Sequence, residues 1–283
     1  MTNELKITRI TRPGAGSVNS WLIEDTSGVV LIDAQRVLSV GREVAAAIQA
    51  IGKPLKAVLI THPHPDHFGG LSAVLEAFPG TPVYSSPETR KVIETDSNGL
   101  QTATRKAVPQ DTPQAFPAPD HTFSDGETLL FGRIELVVSE IGPGESEAMS
   151  MFHAPGADAL FTGDLVANDM TSFVLEGRSS AWIAQIDRVA RAFQAASPRL
   201  YPGHGEAGSF TSLLSNQRQW LVDLREMTRA RISDGELSDR DIDIIKEEFE
   251  ARYQNRQIVA EIATLLALNI QAVAEELSKE TGS

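Results

Sequence analysis

The chain has 283 residues, 41% of them hydrophobic and 22% charged, which suits one large domain or two ordinary ones with a substantial core. Its 25 Lys and Arg against 38 Asp and Glu give a formal charge of −13, which argues against nucleic acid or an anionic membrane surface as a partner. There is no cysteine, so disulfides, thiolate nucleophiles, iron–sulfur clusters and Cys-ligated zinc are excluded, and any metal must be held by His and carboxylate.

The amino-terminal residues lack the basic start and continuous apolar run of a secretory signal, and no stretch approaches the ~18 apolar residues of a membrane span. A cytoplasmic protein with no membrane partner is the expectation. Strands are predicted at Leu5–Ile10, Ser20–Glu24 and Val29–Asp33, separated by Pro13-Gly14-Ala15-Gly16 and Ser27-Gly28. Apolar residues at helical spacing (Val40, Val44, Ala47, Ile48, Ile51) predict a helix that Gly52 stops, followed by a buried strand at Ala57–Ile60. Two more helices are predicted at Leu71–Phe78 and Pro87–Thr95. From Asp96 to Asp120 the pattern dissolves into polar residues with four prolines, so a long irregular loop is expected, either a substrate cover or a plain excursion. Strands return at Glu127–Phe131, Ile134–Ser139, Ser150–His153 and Ala159–Thr162.

After Gly208 the chain reads as three helices, Phe210–Arg231, Ser238–Tyr253 and Gln257–Lys279, with Ser238 an N-cap and Gly235 a break. The expected division is 1–208 as the catalytic domain and 209–283 as a helical extension. From Arg218 onward this extension carries 9 basic and 14 acidic side chains, so it has no footprint for DNA. Its apolar residues, among them Ile258, Ile262, Leu265, Ile270 and Val273, are expected to complete the pocket, cover the core or pair two subunits, a homodimer being the leading partner state.

Three of the six histidines lie within Thr61-His62-Pro63-His64-Pro65-Asp66-His67, directly after the strand ending at Ile60. A strand end opening into a loop lets several side chains converge, and imidazole with carboxylate suits Zn²⁺, Fe²⁺ or Mn²⁺. Pro63 and Pro65 stiffen the loop by fixing φ, and Gly69-Gly70 is expected to provide a tight turn. His121 and His153 are expected to be ordinary surface or core residues.

This H-x-H-x-D-H segment resembles the signature of the metallo-β-lactamase-fold hydrolases. Val18–Ile23 with Leu31-Ile32-Asp33 resembles the opening strands of that family, Phe161-Thr162-Gly163-Asp164 its T-G-D segment, and Tyr201-Pro202-Gly203-His204-Gly205 its P-G-H-G segment. Together these cover roughly residues 4 to 206. The resemblance implies an α/β fold, an αββα sandwich here carrying a C-terminal helical extension, with two divalent ions in the groove between the sheet edges. It implies His62 and His64 as ligands of a first metal, Asp66, His67 and His204 as ligands of a second, and Asp164 as the bridge. One position departs from the pattern. Pro143-Gly144-Glu145-Ser146 stands where the family has P-G-H-T, so Glu145 takes the place of a histidine, with Glu147 a weaker substitute. A carboxylate there lowers the positive charge of the centre and biases it towards harder metals. Zinc remains the first expectation, iron or manganese and a single-metal site the alternatives.

The resemblance implies hydrolysis of a small molecule with Asp66 as catalytic acid–base and allows esters, lactones, thioesters, β-lactams and some phosphodiesters; the near-neutral centre that Glu145 gives favours an ester, lactone or thioester. An iron-dependent oxidoreductase of the sulfur dioxygenase kind, and a metal-depleted binding protein, stand as rivals. Arg12–Asn19, Ser97–Asp120 and Asn168–Arg178 are the candidate pocket walls. Phe116, Phe173 and Trp182 would give apolar contacts, and Arg12 and Arg178 would be partners for a substrate carboxylate.

Overall fold

A computed structural model describes residues 5–233 and 236–281; the expected break at Gly235 lies outside them. The first half builds a six-stranded sheet. β1 (Lys6–Thr11), β2 (Asn19–Glu24) and β3 (Val29–Ile32) form an antiparallel meander. The chain then crosses through α1 (Leu38–Ile51) to β4 (Leu55–Leu59), through α2 (Pro65–Phe68) and α3 (Leu71–Ala77) to β5 (Val83–Ser85), and through α4 (Pro87–Thr95) and α5 (Leu100–Ala107) to β6 (His121–Thr122). β3 to β6 run parallel, as strands separated by helical crossovers do.

The second half builds a five-stranded sheet in the order β12-β10-β9-β8-β7. Its members are β7 (Thr128–Phe131), β8 (Ile134–Glu140), β9 (Ser150–Ala154), β10 (Ala159–Ala167) and, after β11 (Met170–Thr171) and α6 (Ser179–Ala192), β12 (Arg199–His204). α7 (Phe210–Arg229), α8 (Asp239–Arg252), β13 (Gln257–Ile258) and α9 (Leu265–Thr281) complete the chain. β13 pairs with β11 as a separate two-stranded ladder.

The period of two along the strands sorts side chains into three core layers. Trp21, Ile23, Val30 and Ile32 meet Leu136, Val138, Phe152 and Phe161 between the two sheets. Leu22, Leu31 and Val58 face Val44, Ile48, Leu71 and Val74 of the helices on one side. Met151, Leu160 and Leu200 face Trp182, Trp220, Leu221 and Ile270 on the other. This is the expected αββα sandwich. α7 to α9 share one apolar cluster with β9, β10 and β12, so the carboxy-terminal helices are the outer layer of the second sheet. None of the described helices is long and apolar enough to cross a membrane.

Four expectations change. Residues 96–120 contain α5, whose start is held by Asp96: its carboxylate accepts from the backbone N–H groups of Gln101 and Thr102. The mostly polar composition hid this helix because its apolar side faces an open cleft rather than a core. The last helix begins at Leu265, not Gln257. Ile258, Val259, Ala260 and Ile262 imitate helical spacing, but they pack against Met170, Phe173 and Leu175 as an irregular strap. α6 and β12 had no counterpart among the predicted elements. Lastly, Gly69 and Gly70 have ordinary right-handed φ of −61° and −84°. Glycine is required there by close approach: a Cβ would sit 1.9 Å from the Arg36 carbonyl oxygen at Gly69 and 2.3 Å from that of Ala34 at Gly70.

Candidate metal centre

The predicted ligands come from the segment after β4, the loop between β8 and β9 that carries Glu145, and the strands β10 and β12. Residues 60–64 leave β4, and Pro65 opens α2, so His62 and His64 lie on the loop while Asp66 and His67 lie in the first turn of a short helix. Proline suits that position because it lacks only an N–H that the helix would leave unpaired. Asp164 lies on β10 and His204 ends β12, two parallel neighbours. Gly203 lets these groups close up, since a Cβ there would sit 2.0 Å from Asp164 Oδ1.

Each histidine is fixed from behind. His67 Nδ1 donates to Asp33 Oδ2 at 2.7 Å, and Asp33 also accepts from the Thr61 N–H (2.9 Å) and hydroxyl (2.8 Å). With its proton given to Asp33, Thr61 Oγ1 accepts from His62 Nδ1 at 2.9 Å. His204 Nδ1 donates to the Ser17 carbonyl, and His64 Nε2 to Glu176 Oε1 at 2.8 Å. These bonds set the tautomers, so all four rings turn a lone pair towards one interior space. Asp33 itself has φ +56°, a left-handed conformation that costs a non-glycine residue free energy and that concentrates at functional sites.

The inward atoms fit a metal. His62, His64 and Glu145 form one group of donors within 4.8 Å of one another, His62, His67 and Asp164 a second, and Asp66, His67 and His204 a third. His62 Nε2 is 3.5 Å from Glu145 Oε2, His67 Nε2 3.4 Å from Asp164 Oδ1, and His204 Nε2 3.3 Å from Asp66 Oδ2 and 3.1 Å from Asp164 Oδ2. Two ligands each ~2.1 Å from one tetrahedral ion would be ~3.4 Å apart. Although buried, His62 Nε2, His67 Nε2, His204 Nε2, Asp164 Oδ1 and both Glu145 oxygens make no aligned hydrogen bond. Buried polar atoms are rarely left so, and six converging on one space are explained by a cation among them.

In the protein alone, protons balance the carboxylates. Burial opposes the charging of His204, yet Asp164 raises it to about 10; His67 rises well above its ordinary value against burial, through Asp164 and Asp33. His62 is pushed well below by burial and by His67. Burial lifts Glu145 to about 6, against the pull of His64. Burial also opposes ionisation of Asp66 and Asp164, but the facing histidines hold both below the ordinary carboxylate range.

All seven predicted residues come together: His62, His64, Asp66, His67, Glu145, Asp164 and His204. Glu147 stays outside the three donor groups. The centre opens into a cavity whose floor includes His64, Asp66, Glu145, Asp164 and His204 and whose walls are α5, Phe173 and residues 259–262. Phe173 lines it, 5.3 Å from the His64 ring. Phe116 instead packs on Phe68 in the core, and Trp182 is buried with its indole N–H on the Leu165 carbonyl. Arg12 pairs with Glu43 and Arg178 with Glu176, and neither arginine lines the cavity. His121 is exposed beside Asp120 and His153 packs on Phe193, both outside the centre. Sequence reasoning missed Asp33, Glu176 and Arg36, of which only Asp33 had a signal, as the acid closing the Leu31-Ile32-Asp33 strand; it offered Ile262 as completing the pocket, but from a helix rather than a strap.

Comparison with known proteins gives the same picture. The family profile of the metallo-beta-lactamase superfamily matches residues 13–233. An uncharacterized protein of Bacillus subtilis (strain 168), YobT, is 31% identical over 170 residues, 58% of this chain and 66% of its own length. A hydroxyacylglutathione hydrolase of Gloeobacter violaceus is 31% identical over 123 residues, 44% of this chain and 39% of its own. The crystal structure of a metallo-beta-lactamase family protein from Thermus thermophilus superposes with a TM-score of 0.68 at 18% identity, covering 98% of this chain and 94% of that one.

Proposed function

The chain belongs to the metallo-beta-lactamase superfamily, and from that premise we propose that it is a metal-dependent hydrolase that cleaves an acyl bond, an ester, lactone or thioester, of a small molecule. The observation that carries this reading is the set of six buried donor atoms without aligned partners at and beneath the floor of a mostly apolar cavity. His62, His64 and Glu145 would hold one divalent ion and Asp66, His67 and His204 a second, with Asp164 between them; zinc is the first expectation, iron or manganese the alternatives. Such ions supply a water of lowered pKa and a Lewis acid for the acyl carbonyl.

The protein's own residues do the rest. The Asp66 side chain is 24% exposed, against 6% for Asp164 and 1% for Glu145. Asp66 is thus the carboxylate of the centre that reaches incoming water; ionised, it accepts a hydrogen bond from that water, orients it and passes its proton to the leaving group. Glu145 would lower the positive charge that the two ions bring, which weakens the attraction for anionic groups near the scissile bond. The relative named as a hydroxyacylglutathione hydrolase keeps thioesters among the candidates.

The test is metal content and turnover of aryl esters, lactones and thioesters with and without chelator, on wild type, Asp66→Ala and His67→Ala. Chelator-sensitive turnover that both variants abolish is the expected result. Turnover that survives chelator or both substitutions overturns the reading. A second reading rests on His62, His64 and Glu145, two histidines and a carboxylate together, an arrangement that suits Fe²⁺ and oxygen chemistry. Bound iron with oxygen consumption and no hydrolysis decides for it.

A further inference from the structure

Above the metal centre lies a cavity of about 240 Å³, just below the ~300 Å³ where pockets for drug-sized ligands begin. Beyond the donors at its floor, its walls are mostly apolar: Leu100, Ala103 and Ala107 from α5, Phe173, and Val259 and Ile262 from the strap between β13 and α9, with Thr104 and the Arg36–Glu261 pair the polar exceptions. The strap is held in place from three sides. Gly16 N–H donates to the Ile258 carbonyl at 2.9 Å, Val259 N–H to the Thr171 carbonyl at 3.2 Å, and Glu261 pairs with Arg36 at 3.2 Å.

The carboxylates around this cavity outnumber its basic side chains. Asp66, Glu145, Asp164 and Glu261 line it, and among the described residues Arg36 is the one Lys or Arg that does, already neutralised by Glu261. Away from the metal centre, a free carboxylate or phosphate at the far end of an acyl group would meet Glu261 and an Arg36 already paired with it. A plain hydrocarbon chain would meet Leu100, Ala103, Phe173 and Ile262.

Taking the hydrolase reading above as given, we infer that the substrate carries an uncharged aliphatic acyl chain, which lies between α5 and the strap while its carbonyl sits over the metal centre. Ala103 and Ile262 line the space that this chain fills. Each methylene that leaves water for this cavity improves kcat/KM roughly three- to fourfold until the cavity is filled.

The test uses the metal-loaded protein. 4-Nitrophenyl acetate, butyrate, hexanoate and octanoate are compared with the monoadipate, which has the chain of the hexanoate and a terminal carboxylate. Ala103 is exposed to the cleft, so Ala103→Phe fills space without disturbing a core. The expected result is a rise in kcat/KM with chain length, a monoadipate at least tenfold poorer than the hexanoate, and a hexanoate-to-acetate ratio at least tenfold lower in Ala103→Phe. Binding is measured separately by ligand-detected NMR with 2-octanone, an acyl chain with no cleavable bond, against 7-oxooctanoate. Preference for 2-octanone with no ester turnover supports the chain site and removes the hydrolase reading. Turnover indifferent to chain length, or tighter binding of 7-oxooctanoate, overturns the chain site and leaves the hydrolase reading intact.

Discussion

Glu145 Oε1 lies 2.9 Å from His64 Nδ1, and both side chains are almost wholly buried. The other nitrogen of the same ring gives its proton to Glu176, so an unprotonated His64 would turn a lone pair on the Glu145 carboxylate. That contact is repulsive unless a proton or a metal lies between, and burial favours the arrangement with fewest uncompensated charges.

Glu145 is therefore expected to be a ligand. Glu145→Ala should lose most of one equivalent of metal, and Glu145→His should raise first-site Zn²⁺ affinity by at least tenfold, because a neutral imidazole suits zinc better than a hard carboxylate. Metal content by elemental analysis, with chelator competition for affinity, checks both. Wild-type stoichiometry in Glu145→Ala would remove this residue from the site.

Glu176 and Asp33 act from behind the ligands, through His64 and His67. Loss of such supporting carboxylates costs roughly 10–100-fold in metal affinity. Glu176→Ala should fall in that range, with Glu176→Gln recovering part of the loss because an amide oxygen still accepts from His64. Chelator competition at fixed pH reads the difference, and equal affinities in all three proteins would show that the His64–Glu176 bond does not matter.

Metal uptake should release protons and strengthen as pH rises. In the stripped protein His204 keeps its proton up to about pH 10, and below about pH 6 Glu145 is protonated as well. Each proton competes with metal, so affinity is lowest at acid pH and grows through neutrality. The stability consequence has the opposite sign. A histidine raised above its unfolded value of ~6.5 contributes stability that is fully present below that value and is lost as pH rises through its folded value. The melting temperature of the stripped protein should thus fall between pH 6.5 and 10, while the loaded protein holds steady. Melting curves of both forms across that range test the pair, and parallel curves would contradict it.

Arg225 ties the outer helices together. From α7 it donates to Ser179 at the start of α6 and to Glu276 and Glu280 of α9, while Glu276 accepts from the backbone N–H groups of Ser179 and Ser180. Removing one partner of a buried ion pair leaves the other uncompensated, so Arg225→Ala should cost about 3–5 kcal/mol. The partial exposure of Glu280 places the loss at the lower end. Denaturant unfolding measures it; a loss under ~1 kcal/mol would mark the network as ordinary surface pairing.

The sequence by itself determined the layers and the side chains that converge at the candidate metal centre. Strands of period two and helices bounded by glycine and serine signal themselves locally: the hydroxyl of Ser238 accepts from the Asp241 N–H as its position predicts. The motif from His62 to His67, with Asp164 and His204, is legible because ligands that must converge from a strand end are concentrated in short segments. The tertiary structure alone decided what stands behind and above the metal centre. Asp33 and Glu176 meet their histidines across 34 and 112 residues of chain, and residues 259–262 reach the cavity only because β13 pairs with β11. No local pattern distinguishes an apolar strap that walls a pocket from a helix that covers a core, since both bury the same residue types. Which of them forms depends on the neighbours the fold supplies, and here Met170 and Phe173 supply the surface that holds the strap open as a wall.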